Sequence, residues 1–191
     1  MWLTLAGVLA VGVFIVGALI IGLGTEEPAT GSREAEAVAS PRTEDGRFPI
    51  VAYQGADEIG AEELDFTEVL GTGRPVVLNF WAGQCPPCRA EMPAFQRVYD
   101  TYGSDFLLLG VDVGPFLGLG SRQSALDLLA ELDITYPAAY ALDERAVREY
   151  DVLGMPTTIF YDGDGVEVDR QIGILTEDAL EAEVRELVGL S

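Results

Sequence analysis

Cys85 and Cys88 are the only cysteines in 191 residues, and their surroundings leave few folds open. They stand in Phe80-Trp81-Ala82-Gly83-Gln84-Cys85-Pro86-Pro87-Cys88-Arg89-Ala90-Glu91-Met92-Pro93. Upstream, Pro75-Val76-Val77-Leu78-Asn79-Phe80-Trp81 is an apolar, β-branched run typical of a buried strand. Downstream, Met92, Phe95, Val98, Tyr99 and Tyr102 recur at helical spacing. Both thiols therefore fall where a buried strand turns into a helix.

That junction favours sulfur chemistry. The first turn of a helix carries unpaired N–H groups and the positive end of the helix dipole. Both stabilise a thiolate, which is the nucleophile of disulfide exchange. Cys85 near the N-cap is the more exposed position and the candidate attacking thiol. Cys88, one turn further in, can reach back to close a disulfide and suits the resolving role. Other uses of the pair fit less well. A structural zinc site needs four ligands, and the chain has no histidine and no second cysteine pair. A bridge closing so short a loop removes little chain entropy, which argues against a purely structural disulfide. A C-x-x-C between strand and helix points to a redox pair.

Val77-Leu78-Asn79-Phe80-Trp81-Ala82 followed by Cys-Pro-Pro-Cys resembles the thioredoxin superfamily. Arg89-Ala90-Glu91-Met92-Pro93 and the later Gly154-Met155-Pro156-Thr157-Thr158 are similar to the membrane-anchored TlpA/ResA-like thiol–disulfide oxidoreductases of the redoxin type. The likeness extends from about Phe48 to the C-terminus. It implies an α/β fold: a thioredoxin-like mixed sheet flanked by helices, with an N-terminal extension and a central insertion. It implies that Pro156 is cis and lies beside the disulfide. It also gives Glu91 a part in proton handling and thiol tuning. Trp81, Met155, Pro156 and Thr157 are expected to contact substrate. The Met155 backbone would pair with an extended peptide, and its side chain would offer a soft apolar contact. No cofactor and no metal is expected.

The stretch departs from thioredoxin in three ways. Asn79 stands where thioredoxin has a buried aspartate, and an amide cannot accept a proton, which leaves Glu91 as the nearest carboxylate. Gln84 replaces the aromatic residue common before the first cysteine. Pro86 and Pro87 remove two backbone donors, so only the N–H of Cys88 remains to bond the Cys85 sulfur among the next three residues. A Cys85 thiol less acidic than with glycine at position 86 is expected.

Three segments divide the chain: 1–24, 25–47 and 48–191. Trp2 to Leu23 holds no charged residue and is long enough for a helix to cross a bilayer, which reads as an uncleaved transmembrane anchor in the lipid. No Lys or Arg precedes it, while Arg33, Arg42 and Arg47 follow, so the positive-inside rule does not favour an N-in topology. The resemblance implies a single-pass plasma-membrane protein with its catalytic domain on the extracytoplasmic side. Residues 25–47 are rich in Glu, Ala, Ser, Thr, Pro and Gly and read as a disordered acidic tether.

Within 48–191, strands are expected at Phe48–Tyr53, Val76–Ala82 (the central one), Phe106–Val113, Tyr136–Tyr140, Thr158–Tyr161 and Val166–Arg170. Helices are expected at Glu62–Leu70, Pro86–Thr101, Ser121–Leu132, Asp143–Tyr150 and Thr176–Val188, with Pro93 kinking or resetting the second. Gly114–Gly120 is a glycine-rich apolar loop that lacks the third glycine of a dinucleotide fingerprint. Asp162-Gly163-Asp164-Gly165 is a hairpin turn rather than a calcium loop.

The function expected is thiol–disulfide exchange on protein cysteines, in the reducing direction by resemblance, extending to apocytochrome c before haem attachment and fed by a membrane electron donor. A formal charge of −21 disfavours nucleic acid, whose phosphates it would repel, and no nucleic-acid partner is expected. A thiol peroxidase of the peroxiredoxin kind is the first alternative. Its Pro-x-x-x-Thr/Ser-x-x-Cys pattern is missing, since Ala82 stands three residues before Cys85. A non-catalytic, membrane-anchored binding module is the second.

Overall fold

The computed structural model describes residues 46–190. The expected anchor and nearly all of the tether lie outside them. Among the described residues no helix is long and apolar enough to cross a membrane.

Seven strands form one sheet: β1 (Pro49–Gln54), β2 (Glu63–Asp65), β3 (Val76–Trp81), β4 (Leu107–Asp112), β5 (Ala138–Ala141), β6 (Thr157–Tyr161) and β7 (Glu167–Ile172). Their order is β2-β1-β5-β4-β3-β6-β7, so β4 is the middle strand and β3 stands beside it. β3 runs parallel to β4 and antiparallel to β6, which makes the sheet mixed. Helices are α1 (Ala56–Ile59), α2 (Pro86–Tyr102), α3 (Gly114–Leu117), α4 (Arg122–Glu131), α5 (Arg145–Arg148) and α6 (Glu177–Leu187).

Every residue of β3 and β4 is buried, because the sheet is covered on both faces. Alternation along β3 sorts its side chains. Val77 and Trp81 join the core formed by α2, α4 and α6. Val76, Leu78 and Phe80 join the opposite core. There Phe48, Phe66, Phe80 and Tyr150 pack with ring centroids 5.0–6.1 Å apart. Truncating one of these fully buried rings to alanine costs about 3–5 kcal/mol.

Three expectations are corrected. Glu62–Leu70 is not a helix: β2 pairs antiparallel with β1, and a 3-10 turn follows at Phe66–Val69. Asp65 caps that turn, its carboxylate accepting from Thr67 N while Glu68 accepts from Asp65 N. The Gly114–Gly120 loop contains a short helix, α3, started where Asp112 Oδ1 accepts from Gly114 N at 2.9 Å. α2 continues through Pro93 without being reset. The other long elements lie within one to three residues of expectation.

Candidate active site

Cys85 is the N-cap of α2, with Pro86 and Pro87 at the first helical positions. Proline suits these positions, since its missing N–H would be unpaired there in any case. The Cys85 Sγ accepts a hydrogen bond from Cys88 N at 3.3 Å, and the two cysteines form a disulfide with Cα atoms 5.3 Å apart. Cys85 is 3% exposed and Cys88 0%. Cys85 is thus the more accessible of the two residues, though barely.

The loop before Cys85 is clamped. Gln84 N donates to Leu119 O at 2.8 Å, which ties it to the segment after α3. Gly83 sits so close to α4 that a Cβ there would meet Ala125 N at 2.5 Å and the Ser124 carbonyl carbon at 2.6 Å. No side chain fits at that position. Ser121 caps α4, its hydroxyl accepting from Ser124 N, and so fixes the helix end that the loop leans on.

Glu91 is 1% exposed. Its Oε1 accepts from Asn79 Nδ2 at 2.9 Å and its Oε2 from Leu175 N at 3.1 Å. Asn79 also donates to Thr158 Oγ1 at 3.0 Å. Burial raises the Glu91 carboxyl to about 7, against the lowering effect of these hydrogen bonds from Leu175 and Asn79. A carboxyl poised there can take up or release a proton near neutrality. Helical periodicity alone left Glu91 free to face solvent. The buried neighbour that settles its orientation is Asn79, twelve residues earlier on β3.

The Met155–Pro156 peptide bond is cis, as the resemblance implies. Register pairs Thr157 with Phe80, so Pro156 lies at the same end of the sheet as the disulfide. Met155 is half-buried and packs against both cores. Beside it, Leu153 is 83% exposed, and Ile172 and Ile174 are about half exposed. Three of the four expected substrate contacts are buried: Trp81 within the core, Pro156, and Thr157, whose hydroxyl donates to Gly154 O. Only Met155 among them is partly exposed.

The sequence reading missed Asp112. It is 1% exposed at the end of β4, register-paired with Trp81, and accepts from Tyr53 OH at 2.9 Å as well as from Gly114 N. Burial raises its carboxyl above the usual range, and burial and then the Asp112 charge raise the Tyr53 hydroxyl. A lone acidic residue closing the apolar run Leu107-Leu108-Leu109-Gly110-Val111 was the available signal.

A mixed sheet, a Cys-Pro-Pro-Cys disulfide at the mouth of α2 and a cis-proline at the same sheet end define a thiol–disulfide oxidoreductase. The chain belongs to the thioredoxin-like domain family, which it matches over residues 63–187. It is 32% identical over 111 residues to the thioredoxin-like protein YneN of Bacillus subtilis, covering 57% of this chain and 62% of that protein. It is 29% identical over 162 residues to the sporulation thiol-disulfide oxidoreductase A of the same organism, covering 85% and 90%. With the thiol-disulfide oxidoreductase ResA of Oceanobacillus iheyensis it shares 29% identity, over 70% of this chain and 67% of that one. Among solved structures, StoA from Bacillus subtilis superposes with a TM-score of 0.56 at 24% identity, covering 66% of this chain and 91% of that one. That likeness shows the fold.

Proposed function

We propose that this protein is an extracytoplasmic reductase of protein disulfides, held at the plasma membrane by residues 2–23 and recharged by a membrane electron donor. The observation that carries the reading is the Cys85–Cys88 disulfide at the start of α2. The buried Glu91 one turn beyond it and the cis-proline loop beside it supply proton handling and a docking edge. The relatives named thiol-disulfide oxidoreductases support the same activity. Apocytochrome c, reduced before haem attachment, is the substrate we favour, on the resemblance set out above.

In the reduced enzyme the Cys85 thiolate attacks one sulfur of a substrate disulfide. The Cys85–substrate bond forms, the substrate S–S bond breaks, and the second substrate sulfur leaves as a thiolate. Cys88 loses its proton towards Glu91 and attacks Cys85. The substrate's remaining sulfur is released, and the Cys85–Cys88 disulfide stores the two-electron oxidation. Two electrons have passed from enzyme to substrate, and an external dithiol must return them. Leu153, Met155, Ile172 and Ile174 offer an apolar edge for the substrate chain.

Trapping tests this. In Cys88→Ala the mixed disulfide on Cys85 cannot be resolved, so substrate accumulates covalently and can be identified. Cys85→Ser should capture nothing and reduce nothing. Peroxide consumption without disulfide reduction would mean a peroxidase. Absence of both, with intact folding, would leave a binding module.

A further inference from the structure

Three buried polar atoms lie on the α2 face of the sheet with no hydrogen-bond partner among the described residues: Trp81 Nε1, Asn79 Oδ1 and Tyr136 Oη. Their residues meet around Gly110. Gly110 is register-paired with Asn79. A Cβ on Gly110 would meet Trp81 Nε1 at 3.0 Å and Tyr136 Cε2 at 3.2 Å. Asn79 in turn holds Glu91. Gly110 thus leaves the indole N–H and the phenol ring side by side over the strand, next to the Asn79–Glu91 pair. Both Trp81 and Tyr136 are fully buried. The Tyr136 ionisation is pushed up by burial and then by the Glu91 charge.

The four groups have complementary hydrogen-bonding roles. Trp81 Nε1 can only donate, Asn79 Oδ1 can only accept, the Tyr136 hydroxyl can donate, and a Glu91 oxygen has a free lone pair beyond its one bond. A water molecule accepts two hydrogen bonds and donates two. One placed among these groups would satisfy all of them, and buried waters of this kind are ordinary parts of folded proteins. We infer that Trp81 and Tyr136 hold a buried water against Glu91 and are positioning residues for its proton. The inference rests on the reading of Glu91 as the proton-handling group.

Few other groups face this carboxyl. The Cys85–Cys88 pair lies on its own helix and titrates only when reduced. From β3, β6 and the loop before α6 come Asn79, Thr158 and the Leu175 amide, all neutral. From the segment before β5 comes Tyr136. Asp112, two residues after Gly110, is turned to Tyr53 and Gly114.

The test is Tyr136→Phe in the full chain, oxidised and without substrate, with the Glu91 carboxyl carbon titrated by NMR. Loss of the hydroxyl that supports the water should raise the Glu91 midpoint by about half a pH unit or more. It should also lower the denaturation midpoint, because an unbridged buried hydroxyl would instead be neutral or favourable to remove. Trp81→Phe, which deletes the indole donor, should shift the carboxyl in the same direction. If Tyr136→Phe misfolds, the Trp81 variant carries the same readout. An unmoved carboxyl midpoint in a folded variant overturns the inference. This titration involves no thiol exchange, so it succeeds or fails independently of any role for Glu91 in turnover. Should turnover prove independent of Glu91, it is the proposed function that needs revision.

Discussion

Asn79 Nδ2 donates to Glu91 Oε1 at 2.9 Å, so a strand residue that cannot titrate fixes the carboxyl of a helix residue that can. The same amide donates to Thr158, which locks its orientation from the neighbouring strand. The carboxyl proposed to handle protons is therefore supplied by α2 and merely held by β3.

Glu91→Gln keeps the size and one of the two acceptor oxygens but cannot take a proton. Exchange at neutral pH should fall about a hundredfold, the bottom of the range for general acid–base catalysis. The native rate should rise with pH through about 7, where Glu91 ionises, and the variant should lack that rise. Stopped-flow oxidation by a model disulfide checks both. A variant profile that superposes on the native one would remove Glu91 from the chemistry.

Glu91 also makes stability depend on pH. The folded chain keeps this proton to about 7, against an ordinary value of 4.5. Between those values the folded state binds more protons than the unfolded state, so stability must decline as pH rises and level off above about 7. The amount is on the order of 3 kcal/mol. Asp112, also raised by burial, acts in the same direction at the acidic end. Denaturant midpoints across this range should slope downward in the native protein and less steeply in Glu91→Gln. Equal slopes would refute the assignment.

The capping geometry refines the expectation for the two prolines. An N-cap side chain accepts from the second and third helical residues, which here are Pro87 and Cys88. Only Cys88 N donates. Pro87→Ala restores a donor aimed at Cys85 Sγ and should lower the Cys85 thiol pKa by about half a unit or more. Pro86→Gly restores an N–H at the first helical position and should move it less. Alkylation rates of the reduced protein against pH measure both. A larger effect from position 86 would reverse this ranking and return to the simpler expectation drawn from sequence.

Gly83→Ala forces a methyl group into the Ser124–Ala125 backbone. The loop or α4 must shift, at a cost of about 1–3 kcal/mol. The variant should melt earlier and exchange more slowly. Disulfide reactivity and thermal unfolding, measured together, should move in parallel. Unchanged values for both would show that the loop is free to move.

The strand–thiol–helix junction was legible because its signals are local: β-branched residues before Cys85, helical spacing after it, two prolines where helices accept them. The hairpin at Asp162–Gly165 was legible for the same reason. What escaped was decided at a distance. Glu62 to Leu70 was expected to be one helix, but Glu63–Asp65 pairs with β1 and only Phe66–Val69 turns, as a 3-10 helix. Trp81 was expected to contact substrate, yet strand alternation turns it into the core. Asp112 stood out only as the acidic end of an apolar run, and its partner Tyr53 lies 59 residues earlier.

The Tyr53–Asp112 bond has a reach beyond its own length. Asp112 holds Gly114, Gly114 O accepts from Leu119 N, and Leu119 O accepts from Gln84, the residue before Cys85. A side chain on the appended first strand is thus linked by successive hydrogen bonds to the doorstep of the reactive sulfur. Removing that strand would discard part of the scaffolding of the chemistry. A substitution at Tyr53 acts on the loop before Cys85 while leaving the motif untouched.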